Sequence, residues 1–192
     1  MVKKVGFICE GETEKIIVES ASFLQLLANL KLQFVKAVDA AGNGNLLPKN
    51  IENHLITMKR YEADYVIILT DLDEDICITK TKERIKDNLP ENAIIIISVK
   101  AIESWFLADS VTLSTIFKRN FLFEFPEKVN QKPIDVINQL FQENLNRGIG
   151  KDKPKLAKFM LKNGFDLNNA VKHANCPSAL YFLNKLKQIA HA

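Results

Sequence analysis

Cysteine is scarce in this chain. The three present, Cys9, Cys77 and Cys176, are widely spaced and odd in number. That pattern excludes a disulfide scaffold and a paired-cysteine metal site, and it fits a reduced cytosol. The three histidines, His54, His173 and His191, show no ligand spacing and are assigned no role. No apolar run approaches the roughly 20 residues that a membrane span requires. Met-Val-Lys-Lys leads directly into a strand-like segment, so the expectation is a cytoplasmic protein with no membrane partner. There is also no Walker-type loop, dinucleotide fingerprint or serine nucleophile elbow, which leaves ATP hydrolysis, NAD chemistry and esterase chemistry without support.

What is present suits an ordinary globular chain. Of 192 residues, 47% are hydrophobic and 26% charged, enough for one well-buried core with an appended subdomain. The net charge of +3 conceals an asymmetry. Residues 1–117 hold 13 Lys and Arg against 17 Asp and Glu; residues 118–192 hold 13 against 6. An enzyme that chelates cations with one part and holds a polyanion with the other would divide its charge this way. A lysine-rich solvated helical surface would do so equally well.

The central stretch is Val66-Ile67-Ile68-Leu69-Thr70-Asp71-Leu72-Asp73-Glu74-Asp75. A buried strand here ends by presenting acids from its C-terminal edge, the place where open α/β sheets put their sites. Alternate residues of an extended strand point the same way, so Asp71 and Asp73 can aim at one point. Two anions held together repel unless one is protonated or a cation is present. Magnesium, usually held by one or two carboxylates plus waters, removes the conflict. A solvated turn capping the helix that starts near Thr79 is an equal alternative.

The other elements follow the same rhythm. Lys3–Cys9 reads as a strand, Glu10-Gly11-Glu12-Thr13-Glu14 as a turn, and Lys15 to Leu30 as an amphipathic helix. Glu10 ends that strand, while Glu12 and Glu14 are favoured near a helix start by its dipole; Glu14 could also reach the site. Strand two is Leu32–Ala40, followed by a Gly42–Asn45 turn and a helix from Leu46 to Tyr61. Strand three is Asp64–Thr70, a short helix spans Thr79–Asn88, and the isoleucine-rich Ala93–Val99 is strand four. Glu103 then begins a helix carrying the single tryptophan, Trp105. The expected fold is α/β: a Rossmann-like, open, mainly parallel four-stranded sheet with helices on both faces. Residues 1–110 form this core and 111–192 a basic, mainly helical C-terminal extension packed on it.

Within the extension, Phe121, Phe123 and Phe125 alternate as in an edge strand ended by Pro126. Helices are expected from Pro133 to about Asn144, from Lys153 to Lys162, and from Pro177 onward. Lys151, Lys153, Lys155 and Lys158 line the start and outer side of the second of these, as candidate nucleic-acid-binding residues or as a plain basic surface. Lys155 is the lysine expected to reach a scissile phosphate as a charge stabiliser.

Glu10-Gly11 and the Asp71/Asp73 pair resemble the TOPRIM fold shared by topoisomerases, bacterial primases and OLD-family nucleases. Closer still, Glu10-Gly11-Glu12-Thr13-Glu14, the stretch from Ile102 to Asp109, and Cys176-Pro177-Ser178 are similar to small prokaryotic TOPRIM-like proteins often encoded beside ATPases in mobile or defence loci. The resemblance implies that Glu10, Asp71 and Asp73 hold Mg2+ or Mn2+ for phosphodiester chemistry, with Glu14 and Glu103 as further acids; Asp71 and Asp73 would anchor one metal, and Glu10, with Glu14 or Glu103, would hold a second or act catalytically as general base on water. It also implies nucleic acid, and an ATPase, as partners. Ile102 departs from the aromatic or acidic residue common before this glutamate. No tyrosine is placed as in topoisomerases. Two further readings stand beside the nuclease: a nucleic-acid- or ATPase-binding module with a vestigial or structural metal site, and a phosphoacceptor receiver-like domain, which lacks a clear acceptor aspartate with threonine and lysine in register.

Overall fold

The computed structural model describes residues 2–73, 75 and 77–192. Glu74, one member of the expected acidic cluster, lies outside the described residues. The chain runs β1 (Lys3–Cys9), α1 (Glu12–Val18), α2 (Ala21–Asn29), β2 (Leu32–Asp39), a 3-10 turn (Asn43–Leu46), α3 (Glu52–Arg60), β3 (Tyr65–Asp71), α4 (Ile78–Ile85) and β4 (Ala93–Ser98). There follow α5 (Glu103–Ala108), α6 (Ser110–Phe117), α7 (Pro133–Leu145), α8 (Lys153–Lys162), α9 (Leu167–Ala170) and α10 (Pro177–His191). The four strands form one parallel sheet in the order β2-β1-β3-β4. Among the described residues no helix is long and apolar enough to cross a membrane.

Both faces of the sheet are covered, as runs such as Val66–Leu69 require. On one face Ile8 and Ile68 of the strands pack against Met58 of α3 and Ile85 of α4. The other face holds the larger core, in which Phe7, Ile67 and Ile96 of the strands meet Trp105 of α5, Ile137 of α7, Met160 of α8 and Phe182 of α10. Phe182 stacks on both Phe23 and Trp105, at centroid distances of 5.7 and 5.6 Å. Residues beyond 110 therefore share one continuous apolar cluster with the sheet.

Strand order positions the site. From β1 the chain moves outward to β2 on one side; from β3 it moves outward to β4 on the other. The reversal falls between β1 and β3, where open α/β sheets leave a crevice at their C-terminal edge. Glu10 and Asp71 flank it.

Local chemistry moves several boundaries. The helix expected over Lys15–Leu30 is divided at Ser20, whose hydroxyl bonds the Ile17 carbonyl at 2.7 Å and accepts the Phe23 N–H at 3.3 Å as an N-cap. The helix expected from Leu46 begins only at Glu52, because Leu47 precedes Pro48 and is extended (φ −66°, ψ 151°). Phe121–Phe125 is not a strand. Side chains meet part of its backbone instead: Ser114 Oγ accepts the Phe121 N–H at 2.9 Å, His173 Nε2 lies 2.8 Å from the Phe123 carbonyl, and Asn175 Nδ2 donates to the Glu124 carbonyl at 2.8 Å.

The Cys176-Pro177-Ser178 segment acquires a structural meaning. Glu127, 7% exposed, accepts through Oε1 from Ser178 N (3.0 Å), Ser178 Oγ (2.5 Å) and Cys176 Sγ (3.3 Å). The Trp105 indole donates to Ser178 Oγ at 2.8 Å. One buried hydroxyl thus ties the loop before α7 to α10 and α5. Burial, then the adjacent Glu127 carboxylate, push the Cys176 thiol far up, so it stays protonated.

Candidate active site

Each acid enters the site from a strand end or the helix turn after it. Glu10 follows β1 and acts as a clamp: its Oε2 accepts the Thr70 hydroxyl and the Asp71 N–H, the latter at 3.0 Å. That carboxylate joins the ends of the two central strands. Gly11 has extended backbone (φ −147°) and donates its N–H to Glu14 Oε2 at 3.0 Å, fixing the first turn of α1. Glu14 is 4% exposed and within charge range of Glu10, Asp71 and Glu103. Burial above all, with the neighbouring Glu103 and Glu10 carboxylates, pushes it up to about 7, against its backbone hydrogen bond and Lys153.

Asp71 closes β3 and is 5% exposed. Its Oδ1 accepts from Ser98 Oγ at 2.5 Å and from Ile102 N at 2.8 Å. Those bonds tie β3 to the end of β4 and to the entry of α5. Burial, and then the Glu14 and Glu103 charges, hold its carboxyl well above the usual aspartate range. Glu103, the first residue of α5, is fully buried, and burial likewise raises it against the opposing Lys153 charge. Neither Glu103 oxygen accepts a hydrogen bond. Its Oε2 does lie 3.2 Å from Lys153 Nζ, an ion-pair distance. The same ammonium donates to Asp71 Oδ2 at 3.5 Å. Burial would lower Lys153, but the Glu103 and Asp71 charges outweigh it and raise the ammonium above its ordinary value.

The structure therefore brings Asp71 and Glu103 to Lys153, with Glu14 buried near enough to feel their charges and Glu10 clamped alongside. Asp73 is placed differently from the sequence expectation. Leu72 and Asp73 continue to bond β4 and its extension, donating to the Ser98 and Lys100 carbonyls at 2.9 Å each. Asp73 itself is left-handed (φ 49°), so strand alternation stops before it. It is exposed and lines a cleft of about 530 Å3 with Glu103, Lys153, Lys100, Asn43 and the 130–134 segment before and into α7. Asp75, in the same acidic run, is held by Thr81 Oγ1 and Arg84, each at 2.8 Å.

Lys155 does not enter the site. Its ammonium pairs with Asp152 at 3.0 Å and its side chain is 80% exposed. Lys151 pairs with Asp135 at 2.8 Å and Lys158 with Glu12 at 3.5 Å. Lys153 enters because it is the first residue of α8, after the Asp152 cap that accepts the Lys155 N–H. Two residues on, a helix has turned by about 200°, so Lys155 faces the opposite way. Sequence reasoning did not anticipate Thr70 and Ser98 as partners of the acids. The one available signal was a hydroxyl residue ending each of two apolar strands.

Among the described residues no group of three or more His, Cys, Asp and Glu side chains is arranged to hold a metal ion. The chemistry of the donors nevertheless suits a hard cation. They are carboxylates without nitrogen or sulfur, the set taken by magnesium, manganese or calcium. Glu103 adds two buried oxygens that lack a hydrogen-bond donor. Comparison of the chain with protein-family models, curated proteins and solved structures finds no match.

Proposed function

We propose that this chain is a Mg2+- or Mn2+-dependent phosphodiesterase acting on nucleic acid, in the manner of the TOPRIM-like nucleases that Glu10, Gly11, Asp71 and Asp73 resemble. The observation that carries this reading is Glu103: a fully buried carboxylate beside Asp71 at the C-terminal edge of a parallel sheet, balanced by the Lys153 ammonium at 3.2 Å. A buried carboxylate needs a countercharge, and the edge is the one where α/β sheets place their chemistry.

Asp71 and Glu103 would hold the cation, and Asp73 lines the adjoining cleft. When bound, the metal supplies positive charge to the phosphate oxygens and to the attacking water. Glu10 orients Asp71 through its backbone N–H and fixes the separation of β1 from β3. Glu14, buried beside these acids and pushed up to about 7, is a candidate to accept a proton from water. Lys100, Lys132 and Lys153 bring positive charge to the cleft that Asp73 and Glu103 also line, where a phosphodiester would lie.

The test is Asp71→Asn. The amide oxygen can still accept from Ser98 and Ile102, so the fold is retained while the charge is lost. Metal-dependent cleavage of single- and double-stranded DNA and RNA should disappear in the variant. Cleavage at the wild-type rate would overturn the assignment.

One observation favours a second reading. Lys153 already supplies a countercharge at 3.2 and 3.5 Å from two of the acids, which suits a structural ion-pair network in a module that binds nucleic acid or an ATPase partner. In that case nucleic-acid binding is salt-sensitive, survives Asp71→Asn and is accompanied by no turnover.

A further inference from the structure

Lys153 stands where an incoming cation would have to go. Its Nζ lies 3.2 Å from Glu103 Oε2 and donates to Asp71 Oδ2 at 3.5 Å, the long limit of a hydrogen bond. The ammonium is held by charge and one long hydrogen bond. Its two partners are almost wholly buried, whereas the Lys153 side chain is 39% exposed. The ammonium therefore reaches in from the cleft on a stem that remains partly in solvent. A flexible four-carbon stem can be withdrawn without moving the backbone. The start of α8 is separately fixed by the Asp152 cap on Lys155 N.

Charge makes the two occupants exclusive. Glu14, Asp71 and Glu103 repel one another, and a single cation relieves them. An ammonium retained beside a divalent ion would add a repulsion of like charges a few ångströms apart at an almost buried site, where such terms are poorly screened.

We propose that Lys153 is the resident countercation of this carboxylate cluster, and that a divalent cation binds only by displacing its ammonium into the cleft. The inference rests on the metal-dependent reading above and adds that Lys153 sets the metal affinity. Free metal concentration then decides which of two arrangements is populated: an ion-paired one with the lysine inward, and a metal-bound one with the lysine outward. A phosphate-bearing ligand that holds the outward lysine favours the second arrangement and so tightens metal binding, by reciprocity.

The experiment uses the full chain and Mn2+ alone, titrated calorimetrically into wild type, Lys153→Met and Lys153→Gln. In parallel, the rate of amine acylation at Lys153 is followed by mass spectrometry with and without Mn2+. Removing the competitor should tighten Mn2+ binding by at least about fivefold, the lower end of ordinary coupling between mutually exclusive occupants. Mn2+ should accelerate labelling of Lys153 in the wild type while leaving Lys155 unchanged. The metal-free Met and Gln variants should melt lower than wild type and regain stability with Mn2+. Binding to the variants alone would also support the proposal, as a site the lysine keeps closed. If wild type binds Mn2+ but the variants bind equally or more weakly, or if Lys153 labelling slows, the displacement is wrong and the metal reading stands. Binding to none of the three folded proteins overturns both and leaves Lys153 as a permanent ion-pair partner.

Discussion

Replacing Glu14 by glutamine should make the metal-free protein more stable above neutrality. Glu14 is 4% exposed, and burial beside Glu103 and Glu10 takes it from an ordinary 4.5 to about 7. That rise corresponds to about 3 kcal/mol of penalty on its ionised form. The sign follows from proton counts. Between 4.5 and about 7 the folded chain binds the Glu14 proton and the unfolded chain has released it, so stability falls as pH rises across this window. The stabilisation is fully present below the lower value and lost above the upper one. In the variant the Gln oxygen can still accept the Gly11 N–H, so the start of α1 is retained while the charge is gone. For a chain of this length 3 kcal/mol is worth roughly 6–12 °C in Tm. Thermal melts in a chelator, followed by circular dichroism from about pH 4 to about pH 8, should show the two proteins together at the acid end and Glu14→Gln melting higher at the alkaline end. A variant that melts at or below wild type in alkaline buffer refutes the reasoning, because Glu14 would then be stabilised as an anion within the apo fold.

Two further predictions probe how the C-terminal half is joined to the sheet. Ser178→Ala removes the hydroxyl that links Glu127 to the Trp105 indole, leaving a buried N–H without an acceptor. The expected loss is about 1–3 kcal/mol in denaturant unfolding, and no loss would show that water replaces the hydroxyl. Phe182→Ala empties a fully buried position stacked between Phe23 and Trp105 and should cost about 3–5 kcal/mol in a single cooperative transition. A separate early transition confined to residues 111–192, with the sheet still folded, would instead mark that part as an independent unit.

The sequence by itself determined the sheet and the edge at which the acids gather. Hydrophobic runs such as Val66–Leu69 and Ile94–Ile97, each ended by an abrupt change to polar residues, are local signals, and burial of a parallel strand on both faces leaves few other readings. Glu10, Asp71 and Glu103 were legible for the same reason, since each directly follows or closely trails such a run. Tertiary structure alone decided which lysine meets them. Lys153 and Lys155 are chemically identical and two residues apart, and only the docking of α8 determines which side of the helix faces the strand ends. It also decided that Asp73 turns left-handed into the cleft while Asp71 is sealed by Ser98 and Ile102. The phenylalanines of 121–125 alternate like a strand, yet part of this segment's backbone is met by Ser114, His173 and Asn175, two of which lie about fifty residues away. Such partners are brought together by folding and leave no mark in the local pattern, which records the faces of elements but not the contacts between them.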